Sequence, residues 1–124
     1  MSNVMTVRIS ADSNVMQELD ELIKEQNLNY AFIVGARGRL KDVHIVAHGM
    51  GASISRVELP GPCEIMTANG KIEKVKGTYD VNIRVILKGS DGNKAGDGQL
   101  AEAKAFDDVE FDIRRVYTKK IIVG

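Results

Sequence analysis

This chain has no excess of either charge, no second cysteine, no long apolar run and no leader-like start. Its 17 basic residues balance 17 acidic ones across 124 positions. A net charge of zero speaks against a dedicated nucleic-acid binder, which needs a basic face. It also removes the self-repulsion that opposes association. The lone cysteine, Cys63, excludes an internal disulfide and fits a reducing compartment. No stretch approaches the roughly 18 apolar residues of a membrane span. Met1-Ser2-Asn3-Val4-Met5 has neither a basic start nor an apolar core, so no signal peptide is expected and the cytoplasm is the expected location.

What is present suits one domain, 1–124, with a single core. Val4-Met5-Thr6-Val7-Arg8-Ile9 reads as a strand, rich in β-branched residues. Asp12 or Ser13 then offers an N-cap. Val15, Leu19, Leu22 and Ile23 follow at helical spacing and form one apolar stripe. Asn27 closes that helix, because asparagine tolerates the left-handed conformation at a helix end.

Beyond Tyr30 the pattern is β. Tyr30-Ala31-Phe32-Ile33-Val34 is a continuous apolar run before Gly35, which predicts a strand covered on both faces. Val43 and Ile45 share one side of the next strand, and residues 54–59 alternate. Asn69-Gly70 is a strong hairpin dipeptide, so residues 63–68 and 71–75 are predicted to pair across it. Tyr79, Val81, Ile83, Val85 and Leu87 then alternate with Asp80, Asn82, Arg84, Ile86 and Lys88. That is the most regular period-two signal in the chain. Asp91-Gly92 makes a turn, and Gly96-Asp97-Gly98 reads as a glycine-rich bend. Val109, Phe111 and Ile113 point inward from a last long strand, and Ile121-Ile122-Val123 forms an apolar tail suited to an edge. The expected class is α+β: one early helix packed on a largely antiparallel, strongly bent sheet.

Phe32-Ile33-Val34-Gly35-Ala36-Arg37-Gly38, Gly61-Pro62-Cys63-Glu64-Ile65 and Asp91-Gly92, in this order, resemble one family: the plants-and-prokaryotes-conserved, or PPC, domain. Over about residues 6 to 116 the resemblance implies a compact α+β subunit that assembles as a homotrimer. In plants the domain lies beside AT-hook DNA-binding motifs. Many members carry a His-x-His pair before Asp-Gly and a third histidine after it, a trio that looks like a metal site. In this sequence those positions fall on Asn82, Arg84 and Gln99. A guanidinium offers no lone pair and zinc-type ions take imidazole, so neither a metal nor another cofactor is expected.

Arg84 with Asn82 and Gln99 instead suggests a polar pocket for a small anionic ligand; the plain alternative is a solvated or intersubunit face. His44 and His48 would lie about 13 Å apart on one strand, too far to share an ion. Glu110 sits in a strand with no spacing that pairs it with Glu64. Arg37-Gly38-Arg39 resembles an AT-hook core but lacks its proline, and a turn explains it. His48-Gly49-Met50-Gly51-Ala52-Ser53 lacks a phosphate-loop ending. Cys63 reads as a buried small hydrophobe.

Three function classes therefore stand open. The first is a homotrimeric binding or assembly module with a small anionic ligand near the subunit boundary. The second is an enzyme with an intersubunit site using Arg84, His44 or His48, and Glu110. The third is a DNA-associated protein, against which the charge balance speaks. No membrane partner is expected.

Overall fold

The computed structural model describes residues 3–48 and 54–116. Among these described residues, nine elements follow in chain order. They are β1 (Val4–Ile9), α1 (Val15–Gln26), β2 (Tyr30–Arg37), β3 (Arg39–His48), β4 (Ile54–Leu59), β5 (Cys63–Val75), β6 (Thr78–Lys88), β7 (Lys94–Ala105) and β8 (Val109–Arg115). The eight strands form one sheet in the order β1-β8-β2-β5-β6-β7-β3-β4. Every strand pairing is antiparallel. The sheet curls far enough for β3 to meet β5 as well, at Arg39–Glu64 and Leu40–Cys63. The α+β expectation holds in this form: one helix on a large antiparallel sheet.

The helix sits where its stripe predicts. Val15, Leu19 and Ile23 are fully buried, while Leu22 is only partly so. They meet Ala103 and Ala105 of β7, Phe111 and Ile113 of β8, and the inward residues of the other strands in one core. Asn27 closes α1 at φ 51, as expected. The N-cap differs. It is Asn14, whose side chain accepts the Gln17 N–H at 3.0 Å. Asp12 and Ser13 are used one turn earlier: Asp12 takes φ 68, and the Ser13 N–H donates to the Ser10 carbonyl.

Three β expectations need correction. The hairpin at Asn69-Gly70 does not form. Residues 63–75 run as one strand, with Asn69 opposite Arg84 and Gly70 opposite Ile83. The turn comes at Lys76 and Gly77, φ 51 and 79, between the paired residues Val75 and Thr78. Two consecutive left-handed residues are what a two-residue hairpin loop demands. Gly70 serves another need, because a Cβ there would stand 2.2 Å from the Asn82 carbonyl oxygen. Nor is residues 96–98 a bend. Gly96 and Gly98 lie within β7, where a Cβ would meet Leu59 or Ile45 at 2.9 and 2.6 Å. Finally, β2 is not covered on both faces: Ala31 and Ile33 are buried, but Val34 is 46% exposed. The apolar tail at 121–123 and the glycine cluster at 49–53 lie outside the described residues.

The alternation along β6 has one consequence for function. Ile83, Val85 and Leu87 enter the core, so Asp80, Asn82 and Arg84 face outward. The same logic turns Phe111 and Ile113 of β8 inward and Arg114 outward.

Candidate functional site

The outward face of β2, β5, β6 and β8 is hollowed into a cavity of about 680 Å³. Its geometry follows from strand register. Arg114 of β8 stands opposite Phe32 of β2, Phe32 opposite Lys71 of β5, and Lys71 opposite Asn82 of β6. Two residues along, Asn69 faces Arg84; two residues the other way, Glu73 faces Asp80. All of these residues line the cavity, and Val34 adds an apolar patch beside Phe32.

The charges in this cavity are unevenly satisfied. Lys71 Nζ lies 3.2 Å from the Glu73 carboxylate and 5.5 Å from the centre of the Tyr30 ring. The hydrogen bond to Glu73 chiefly holds its pKa above the usual lysine value; the Glu73 charge, Tyr30 and then Asp80 add to this. The Arg114 guanidinium carbon lies 5.8 Å from the centre of the Phe32 ring. It has no carboxylate partner among the described residues. Arg84, Asn82 and Asp80 likewise have no side-chain hydrogen bond or ion pair there. Two unpaired guanidiniums beside exposed apolar surface can hold a carboxylate or a phosphate by parallel hydrogen bonds.

Of the residues singled out in the sequence, Asn82 and Arg84 share this cavity. Gln99 stands on β7 directly opposite Arg84 but does not line the cavity. The others lie elsewhere. His44 lines a separate hollow with Asp42 and Glu58, its Nδ1 3.6 Å from the Glu58 carboxylate. The backbone of His48 ends β3 opposite Ile54. Glu110 accepts a hydrogen bond from Arg37 Nε at 3.1 Å, away from the cavity. Arg114, Lys71, Phe32 and Asp80 were missed as site residues. Alternation shows that they face outward, but not that β8, β2, β5 and β6 are neighbours.

The remaining motifs resolve into structure. Arg37 also bonds Asp112 at 2.8 Å, and Arg39 bonds Asp107 at 2.8 Å while lying over the Phe106 ring. Gly38 between them turns the chain at φ 121, against Asp108 and Val109. Glu64 pairs with Lys88 at 3.6 Å. Cys63 is buried, and desolvation pushes its thiol pKa up, which disfavours the reactive thiolate.

The donor set at Asn82, Arg84 and Gln99 does not fit a zinc-type ion, because its central group is a cation without a lone pair. Among the described residues, no three His, Cys, Asp or Glu side chains gather as a metal site.

The profile of the Plants and Prokaryotes Conserved (PCC) domain, the PPC domain named above, matches residues 1–116. The chain belongs to that family. Its fold is similar to that of a plant- and prokaryote-conserved protein from Pyrococcus horikoshii, with a TM-score of 0.80 at 20% identity, covering 94% of this chain and 80% of that one. A metal-containing protein from Archaeoglobus fulgidus gives 0.77 at 22%, covering 90% and 78%. A proposed DNA-binding protein from Bacteroides thetaiotaomicron gives 0.84 at 18%, covering 96% and 82%. Identities this low speak for a shared fold. No curated protein sequence matches the chain. Among the described residues, no helix is long and apolar enough to cross a membrane.

Proposed function

We propose that this PPC-domain chain is a non-catalytic binding module whose outer-face cavity holds a small anion through Arg84, with Arg114 and Asn82. The observation that carries the reading is the pair of guanidiniums in one cavity with no carboxylate on either. Arg37 and Arg39, by contrast, are each tied to a carboxylate. Phe32 and Val34 supply the apolar contact that a polar anchor needs to bind selectively.

The working form is a cytoplasmic, single-domain homotrimer with the cavity near a subunit boundary. Family membership, zero net charge and exposed apolar residues on the open face of the sheet support assembly. The DNA-associated reading, brought by the Bacteroides relative, has weaker support, since Arg37 and Arg39 are both tied to carboxylates. An enzyme reading has weaker support still, because His44 and Glu110 lie outside the cavity with Arg84.

The test is a thermal-shift and calorimetric titration with inorganic phosphate and with caproate, a short fatty carboxylate. The expected result is a rise in melting temperature that Arg84→Gln abolishes and Arg114→Gln weakens. No response from the native protein, or an equal response from Arg84→Gln, overturns the proposal.

A further inference from the structure

The sheet order leaves β4 at one edge. Among the described residues β4 pairs on one side only, with β3, from Val43–Leu59 to His48–Ile54. Its other side presents a row of backbone N–H and C=O groups, a ready template for another strand. Edges are commonly blunted by lysine, by proline within the strand or by a bulge. β4 has none of these. It runs Ile54-Ser55-Arg56-Val57-Glu58-Leu59 in unbroken register, and Pro60 comes only after its end. Val57 and Leu59 stand opposite the buried Ile45 and Val43, so Ile54, Arg56 and Glu58 share the outward face. Ile54 is 65% exposed. Arg56 stands opposite Val46 and has no hydrogen bond or ion pair to a described residue. Glu58 lies 3.6 Å from His44 and is otherwise turned to solvent.

From this pattern we infer that the β4 edge receives the β4 edge of a second copy of the chain. The inference is independent of the cavity and of its anion. A strand paired antiparallel with its own copy has a two-fold axis, and the position of the axis fixes the register. With the axis at Val57, Arg56 meets the partner's Glu58 and Glu58 meets the partner's Arg56. Ile54 then meets the partner's Pro60 at each end of the ladder. With the axis one residue away, at Arg56 or at Glu58, like charges meet on the axis itself. Opposite charges directly across a ladder attract and like charges repel. An axis between residues would set the outward face of one copy beside the inward face of the other. The order Arg56-Val57-Glu58 therefore selects one register, and its charges invite a copy instead of repelling it. A six-residue ladder is a small contact, so it forms at higher concentration than the assembly proposed above.

The experiment is sedimentation velocity from micromolar to millimolar concentration at low salt. The native protein is expected to show a step to twice the mass of whichever unit is present at micromolar concentration. Arg56→Glu and Glu58→Arg, each alone, put like charges in register and should weaken that step roughly tenfold or more, since two symmetry-related pairs turn from attraction to repulsion. An equal mixture of the two variants brings opposite charges together again and should associate more tightly than either alone. The double variant Arg56→Glu, Glu58→Arg should recover the native step, which also shows that the single changes act through charge and not through the fold. A native mass that stays constant overturns the inference. So does a step that survives both single reversals, or a mixture and a double variant that associate no better than the single variants.

Discussion

Arg84 on β6 and Gln99 on β7 stand directly opposite one another, and Asn82 lies two residues away on the same outward face. Cross-strand neighbours have Cβ atoms about 5 Å apart, and same-face neighbours along a strand about 6 to 7 Å. The three positions at which family resemblance expects histidines are thus adjacent in space, although no imidazole is present. Imidazoles placed at these three positions would lie close to one another on one face of the sheet.

Restoring imidazoles should therefore restore metal binding. The variant Asn82→His, Arg84→His, Gln99→His is expected to hold about one zinc per chain, and the native protein far less. Elemental analysis of protein purified without a histidine tag measures both. A folded triple variant without metal, or a native protein carrying one metal per chain, would overturn the inference from register.

Gly70 is predicted to be irreplaceable on steric grounds. The Cβ of Gly70→Ala would stand 2.2 Å from the Asn82 carbonyl oxygen and 3.0 Å from the Ile83 Cα, both backbone atoms. Neither can move without disturbing the β5–β6 ladder. Overpacking of this kind costs about 1–3 kcal/mol or more. Gly77→Ala meets no atom within 4 Å and suffers only from its φ of 79, which costs roughly 1–2 kcal/mol for a left-handed non-glycine residue. Urea unfolding of the two variants should rank Gly70→Ala as the more damaging. Equal or reversed ranking would show that the strands separate at little cost.

These glycines also show what a sequence reveals and hides. The period-two pattern of β6, the stripe of α1 and the inward set of β8 are all plain in the order of residues, because each reports a local geometry. Gly70, Gly96 and Gly98 look like turn residues in sequence, yet they sit inside strands because another strand presses on them. That pressure depends on which strands become neighbours. The true turn at Lys76-Gly77 carries a lysine in the left-handed region, a residue type with no strong preference for it. The candidate site was half legible for the same reason. Asn82 and Arg84 share a strand, whereas Arg114 reaches them only through the order β8-β2-β5-β6.

Acid should destabilise the fold through β8 and the turn before it. Asp112 is held below its ordinary pKa of 3.8, first by hydrogen bonds from Arg37, then by one from Thr6 at 2.8 Å, and last by the Arg37 charge. Asp107 is lowered mainly by its hydrogen bond from Arg39. A depressed folded-state pKa means stability that is fully present above 3.8 and is lost as pH falls through the lower folded value. Unfolding free energy should thus be level near neutrality and fall below about pH 4. In Asp112→Asn, neutral stability should drop by about 1 kcal/mol or less, as for a largely exposed pair, and the acid slope should flatten. An unchanged acid slope would exclude Asp112 as a contributor.

The last prediction concerns assembly. One helix covers one face of an eight-stranded sheet, and the opposite face keeps exposed apolar side chains. Val34 and Met66 are 46% and 53% exposed on neighbouring strands β2 and β5. Sheets bury an apolar face against another layer, and with no net charge nothing opposes a second copy supplying it. Light scattering coupled to size exclusion should give about three times the chain mass of 13.6 kDa at micromolar concentration. Met66→Asp should lower that mass, because burying a carboxylate against a second apolar surface is costly. Since Met66 is exposed within the chain, the variant should keep its fold, and far-ultraviolet circular dichroism checks this. A native protein that runs as a monomer would overturn the assembly. A trimer indifferent to Met66→Asp would place the contact elsewhere than on this face and overturn the argument from the open sheet.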